Sequence, residues 1–317
     1  MNDTSLRRFD ADGKTAEPGF NVTFPSEKAA LVTQRGTSIF VARNNTLTNV
    51  SWGGWITKLT ESGGKDGSYG AVQLAPAEQT VFAIDVDDRA VTFAPTPQPA
   101  SIVRRVPAGG ATASAQSDLR HPQTTRAALY LADHSVVVAG ENYLAKLLSD
   151  NATVDTTFGS NGFTTLDSSL KLNDAVIDGG GGYLVTGLTS TGALYLGRVG
   201  ASGVADTTFS AVTSPYIAKT ESFAFQNLLT GDYSGILLAG RLALDGDKNI
   251  LQAGQITDGS VVKCAIVRYS KLGVIDAAFG ANGLAKPDVP GCYSHRVAVQ
   301  PDGRIVLGGP VVIRVWN

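Results

Sequence analysis

The stretch "DTTFGSNGF" (155–163) returns as "DAAFGANGL" (276–284), with shorter echoes in "DTTFS" (206–210) and "DGSYG" (66–70). A phrase recurring at separated points marks an internal repeat, and a repeat outranks the reading of any single segment. Eight or nine positions before each phrase stands a basic residue centred in a short apolar run; these centres are Arg8, Lys58, Arg105, Lys146, Arg198, Arg268 and Arg314. Five positions after the basic residue comes Gly13, Gly63, Gly110, Asn151, Gly203 or Gly273. Gly and Asn are the residues that best tolerate left-handed backbone angles, so this column is a turn. Next come an acid (Glu17, Asp66, Asp155, Asp206 or Asp276) and, three positions on, an aromatic (Phe20, Tyr69, Phe158, Phe209 or Phe279).

Further upstream each unit carries two apolar runs joined by an Asp- or Gly-containing turn. "HRVAVQPDGRIVLGG" (295–309) aligns with "GRLALDGDKNILQAG" (240–254). The same shape occurs from Ala29, Val81, Ala127 and Asp174. Short apolar runs flanking Asp/Gly predict β-hairpins, with Asp or Gly supplying the positive φ. Hairpin, basic third run and short fourth run make a four-stranded antiparallel unit of roughly 40–50 residues, the period of a β-propeller blade. The expected architecture is therefore all-β, one propeller over residues 1–317, with an insertion at approximately 210–235. Six blades are expected if the N- and C-terminal strands pair and close the ring. Both ends carry a third-run pattern, which makes seven blades the alternative.

Stretches such as "VAVQPDGRIVLGG" and "AIVRYSKLGVIDAAFGANG" resemble the delta-60 repeat family of exported bacterial proteins. The resemblance is strongest over 236–309, fair over 124–209 and weakest over 78–120, where the acid–aromatic tail is missing. It implies a propeller and a secreted, periplasmic or cell-surface location, and it brings no catalytic motif.

Bulk properties exclude several classes. The chain is 43% hydrophobic, enough apolar material to offset chain entropy, so disorder is not expected. Net charge is −2 with the basic residues scattered, and nucleic-acid binding would need a basic stripe. No apolar run is long enough for a transmembrane helix, and the N-terminus "MNDTSLRRFDADGK" lacks the apolar core of a signal peptide.

Candidate chemistry is sparse. His121, His134 and His295 are the only histidines and are widely separated, which argues against a zinc site. "GGGG" (179–182) lies inside a hairpin rather than before a helix, so it is no phosphate cradle. "DADG" (10–13), "DVDD" (85–88) and "DGDK" (245–248) offer oxygen ligands, making calcium a secondary candidate. Against this, Asp side chains commonly cap their own turns. No cofactor is expected, and no catalytic residue is assigned. The basic–acid pairs recur in nearly every unit and are expected to be scaffolding, since function needs asymmetry.

Asymmetry points to three connectors. "NNTLTNVSWGGW" (44–55) holds Trp52 and Trp55, "TSPYIAKTESFAF" (213–225) holds Tyr216, and "KPDVPGCYSHR" (286–296) holds Tyr293 and His295. Exposed aromatics among small polar residues suit sugar stacking or protein docking. The bland alternative makes Trp55 core at the start of a strand and has Tyr216 and Tyr293 pack their own loops. Cys264 and Cys292, the only cysteines, are either two buried thiols or a disulfide pinning the last connector to its own unit. Three functions follow: a binding or adhesion module for a glycan or protein, a structural part of a larger surface complex, and a hydrolase or lyase at the central channel.

Overall fold

The computed structural model describes residues 5–10, 15–24, 27–45, 54–69, 71–73, 82–84, 88, 90–95, 101–106, 115–119, 125–149, 153–190, 194–209, 212–213, 241–258, 261–289, 296–308 and 312–316. Every regular element among them is a β-strand, and no helix is present. Strands β1 (Ser5–Phe9) and β2 (Ala16–Thr23) form an antiparallel pair. Five four-stranded sheets follow, each in chain order. The first holds β3 (Glu27–Arg35), β4 (Ser38–Asn45), β5 (Gly54–Leu59) and β6 (Ala71–Gln73). The second holds β7 (Phe82–Ile84), β8 (Ala90–Pro95), β9 (Ser101–Val106) and β10 (Ala115–Leu119). The third holds β11 (Thr125–Tyr130), β12 (Val136–Gly140), β13 (Tyr143–Leu147) and β14 (Phe163–Thr165). The fourth holds β15 (Lys171–Ile177), β16 (Tyr183–Leu188), β17 (Leu194–Val199) and β18 (Val212–Thr213). The fifth holds β19 (Arg241–Leu244), β20 (Ile250–Asp258), β21 (Val261–Tyr269) and β22 (Leu284–Ala285). A three-stranded sheet of β23 (Arg296–Val299), β24 (Ile305–Gly308) and β25 (Val312–Val315) ends the chain.

All six expected hairpins are present, and every expected basic centre lies on the third strand of its unit or on β1 and β25. The terminal pairing behaves differently. Among the described strands β1 pairs with β2, and β25 pairs with β24; no register joins the two ends. Arg8 on β1 and Arg314 on β25 both mark third strands, and in the four-stranded sheets a third strand pairs with a second and a fourth, never with another third.

The hairpin turns show which link is local and which is not. Leu131, Asp178, Asp245 and Gln300 each accept a hydrogen bond from the amide three residues on. The donors, His134, Gly181, Lys248 and Gly303, all have positive φ, between 66° and 87°. Asp or Gly is the expected residue there, yet His134 and Lys248 occupy the slot in two hairpins. The turn is fixed from both sides by strand pairing and by Asp133 and Asp245, whose carboxylates accept amide hydrogen bonds from within the turn. That fixation outweighs the local preference.

Two compact units are distinguished, Met1–Val137 with Leu147–Val154, and Val138–Lys146 with Asp155–Asn317. In the first unit Phe20, Val22 and Phe24 of the N-terminal segment pack with Ile39, Val41 and Leu59. In the second, Leu184, Leu196 and Phe209 pack against Ile250, Val267 and Tyr269. The next layer joins Leu251, Cys264 and Phe279 to Ile305 and Leu307. Neighbouring residues Ile250 and Leu251 thus feed opposite layers, as alternation along a strand requires. Because sheets cover both faces, β16 is buried at every position instead of alternating with solvent.

Candidate functional site

The repeated charged column forms one geometry wherever it is described. Arg198 Nε donates to Asp206 at 2.7 Å, Arg268 Nε to Asp276 at 2.8 Å, and Arg8 Nε to Glu17 at 2.5 Å. Lys58 and Lys146 stand 3.2 Å from Asp66 and Asp155. The acid's amide also bonds the carbonyl of its basic partner, in Lys58–Asp66, Lys146–Asp155, Arg198–Asp206 and Arg268–Asp276. Its carboxylate then caps the amide two residues on, at Ser68, Thr157, Thr208 and Ala278. These bonds favour the ionised form. The hydroxyl of Ser68 and the ammonium of Lys58 hold Asp66 at about 2, below its ordinary 3.8. Asp155 and Asp206 are lowered too, first by the hydroxyls of Thr157 and Thr208.

The aromatics Phe20, Tyr69, Phe158, Phe209 and Phe279 are all buried. The guanidinium carbons of Arg8, Arg198 and Arg268 lie 5.1, 4.9 and 4.6 Å from the ring centroids of Phe20, Phe209 and Phe279. Two of these arginines also reach the next sheet: Arg8 Nη1 donates to the Glu61 carbonyl at 2.6 Å, and Arg198 Nη1 to that of Lys271 at 3.3 Å. The column therefore closes a turn, anchors a core ring and spaces two sheets. Its charges are spent on architecture.

Of the aromatic candidates, Trp52, Tyr216, Tyr293 and His295 lie outside the described residues, as does most of the expected insertion. Trp55 is placed by its backbone, which pairs with Arg43 and Gln73 in the middle of a sheet. Cys264 is fully buried on β21 and disulfide-bonded; Cys292, the only other cysteine of the chain, lies outside the described residues. In the Asp-rich turns, Asp88 is engaged by Lys58 at 2.7 Å, and Asp245 caps its own turn through Asp247 and Asn249. Asp85 and residues 11–13 are outside the described residues. No cluster of three or more metal-ligating side chains occurs among the described residues. No described helix is long and apolar enough to cross a membrane.

Two asymmetric features went unnoticed in the sequence. The first is a cleft of about 460 Å³ between the fourth and fifth sheets, lined by Asp178, Arg198, Asp206, Lys248 and Lys271. The Lys248 stem lies over Gly179, where a Cβ would meet its Cδ at 3.1 Å. The second is a charged group on the first strands. Asp174 pairs with Thr186, Arg241 with Ala253 and Arg296 with Gly308, so the three residues hold equivalent positions in successive sheets. The signal was present: aligning the three hairpins on their turns stacks Asp174, Arg241 and Arg296 in one column.

No family model matches the chain. No curated protein matches it either. Among solved structures, it is similar to one described as a "putative 6-phosphogluconolactonase" from Bacteroides fragilis, with a TM-score of 0.59 and 11% identity, covering 97% of this chain and 84% of the other. A protein of unknown function from Bacteroides caccae matches with a TM-score of 0.48 and 9% identity, covering 90% and 96% of the two chains. A neuraminidase-like protein from A/bat/Guatemala/164/2009 matches with a TM-score of 0.44 and 11% identity, covering 75% and 70%. At 11% identity, what the chain shares with the Bacteroides fragilis protein is the fold alone.

Proposed function

We propose that the chain is a non-enzymatic binding domain, a single propeller of about six blades, of the exported or cell-surface kind that its delta-60-like repeats resemble. Its ligand is a glycan or a protein, held without a cofactor by the loops that differ between blades. The observation that carries this reading is the commitment of the repeated Arg/Lys–Asp–aromatic column to ion pairs, turn caps and ring contacts. A side chain locked into the same scaffold contact in sheet after sheet is a poor recognition element, so discrimination falls to the connectors. Trp52, Trp55, Tyr216, Tyr293 and His295 supply the stacking and hydrogen-bonding groups there.

The test is a glycan and surface-protein array probed with the whole chain and with Trp52→Ala. Saturable binding lost in Trp52→Ala supports the reading; no binding on any feature overturns it. The lactonase named among the structural neighbours suggests one competing assay, hydrolysis of a sugar lactone. Turnover above the spontaneous rate would replace the binding reading with the enzymatic one.

A further inference from the structure

In each antiparallel sheet the turns from first to second and from third to fourth strand share one end, opposite the end from which the longer connectors leave. At that end of the fourth and fifth sheets lies the cleft of about 460 Å³. Its lining includes the apolar side chains of Leu184, Leu244 and Ile250, of which Leu184 and Ile250 are buried. Three cations, Arg198, Lys248 and Lys271, and two acids, Asp178 and Asp206, complete its charged lining. The acids are committed. Asp206 Oδ2 accepts from Arg198 Nε at 2.7 Å, and its Oδ1 accepts the Thr208 amide at 2.8 Å. Asp178 Oδ1 accepts the Gly180 amide, and its Oδ2 lies 3.7 Å from Arg198 Nη1. Neither the Lys248 nor the Lys271 ammonium has an ion-pair or hydrogen-bond partner among the described residues.

The chain departs from its own repeat at this point. The hairpin turns closed at Leu131, Asp178, Asp245 and Gln300 carry Asp133, Gly180, Asp247 and Asp302 two positions on, so of these four only the turn at the cleft lacks that acid. The slot of Lys271, three past the basic centre, holds Glu61, Ser149 or Ala201 in three other sheets. Lys248 has a φ of 66°, in a left-handed slot that Gly181 and Gly303 fill in two sister turns. A lysine there gives up backbone ease and gains no polar partner, and outliers of that kind cluster at binding sites. Its stem crosses from the fifth sheet to the fourth and lies over Gly179, where a Cβ would meet its Cδ at 3.1 Å. The glycines thus keep one wall of the cleft free of side chains and of a competing carboxylate.

We propose that this cleft binds a small organic oxyanion, with its carboxylate or phosphate between Lys248 and Lys271 and its apolar body on Leu184, Leu244 and Ile250. The volume is that of a small-molecule pocket. An ammonium is a flexible point charge, so it takes either anion without requiring the planar geometry of a guanidinium fork. The site is separate from the loop reading above: none of its residues lies in the three connectors, so either can fail without the other.

Backbone amide shifts of the intact chain, titrated in low salt with phenyl phosphate, benzoate, inorganic phosphate and benzyl alcohol, test this. The expected result is saturable shifts clustered at Gly179, Gly180, Lys248 and Lys271 with one or both organic anions. Inorganic phosphate and benzyl alcohol, each lacking half of the contacts, should bind roughly tenfold more weakly. A response to phenyl phosphate alone assigns a phosphate ester, and a response to benzoate alone assigns a carboxylate; either supports the site. Lys248→Gln and Lys271→Gln should each weaken binding roughly tenfold, the order expected for one charge-assisted hydrogen bond. Lys65→Gln, the same change of charge in a turn of the first sheet, should not. If Lys248→Gln fails to fold, Lys271→Gln carries the same comparison. No shift with either organic anion, shifts that map elsewhere, unchanged affinity in the two cleft variants, or equally tight binding of inorganic phosphate or benzyl alcohol overturns the proposal.

Discussion

Arg268 stands between two partners, Asp276 at 2.8 Å and the Phe279 ring, whose centroid lies 4.6 Å from its guanidinium carbon. The side chain of Arg268 is 16% exposed, so both contacts are partly shielded from solvent. Arg268→Ala is expected to cost about 1–3 kcal/mol, combining a half-shielded ion pair with a cation–π contact. Arg268→Lys keeps the charge and loses the planar fork, so it should fall in between. Urea denaturation of Arg268→Ala, Phe279→Leu and the double variant checks this. A coupling energy near zero would show that the ring contact contributes nothing.

Acid should weaken the column. Asp66, Asp155 and Asp206 have folded pKa values below the ordinary 3.8. For a depressed carboxyl the stabilisation is fully present above the unfolded value and is lost as pH falls through the folded one. For Asp66 the window runs from about 4 down to about 2. The urea midpoint should therefore drop steeply over that window, and Asp66→Asn combined with Asp155→Asn should flatten the drop. An unchanged slope in the double variant would contradict the assignment.

Gln252 joins the fourth and fifth sheets through a closed polar network. Its Nε2 donates to Thr186 Oγ1 at 2.6 Å and to the Tyr195 carbonyl at 3.1 Å, while its Oε1 accepts from Tyr269 at 2.8 Å. Both Gln252 and Tyr269 are buried, at 1% and 0% exposure, so a hydrogen bond lost between them is not replaced by bulk water. Gln252→Leu should cost about 1–3 kcal/mol, and adding Tyr269→Phe should recover part of that loss by removing the hydroxyl that gave up its Gln252 acceptor. Chemical denaturation of both singles and the double measures the recovery.

Gly203 and Gly303 share a left-handed backbone, with φ of 83° and 84°, and differ in their surroundings. A Cβ at Gly203 would come 2.5 Å from the Gly159 amide nitrogen, whereas none is within 4 Å at Gly303. Gly203 also lies where two sheets are stitched together, through Gly159 N to Ser202 O at 2.8 Å and Thr164 Oγ1 to Gly203 O at 2.5 Å. Gly303→Ala should cost about 1–2 kcal/mol of backbone strain alone, and Gly203→Ala about 2 kcal/mol more. Equal thermal shifts for the two would exclude the steric part.

Cys264 is disulfide-bonded, and Cys292 is the only other cysteine of the sequence, so the expected bridge is Cys264–Cys292. Intact mass after alkylation without reductant should show no added label. Reduction should lower stability by about 2–4 kcal/mol. Two labelled thiols in the unreduced protein would refute the bridge.

The repeat made most of the fold legible, because its contacts are short in sequence. Each basic residue meets its acid eight or nine positions on, across one turn, and the aromatic follows three later, so the column at Arg198, Asp206 and Phe209 could be read from spacing alone. The hairpins were equally plain, although His134 and Lys248 took a slot expected for Asp or Gly once the strands had fixed the turn.

What the sequence left open was how neighbouring units meet. Arg8 reaching the Glu61 carbonyl, Gln252 reaching Thr186, and Arg241 reaching Asp174 all span more than fifty residues. Periodicity reports which face a residue occupies within its own sheet. Whether two charges on equivalent strands lie close enough to repel, and whether a buried N–H finds an acceptor, depends on the distance between sheets, which only their packing sets.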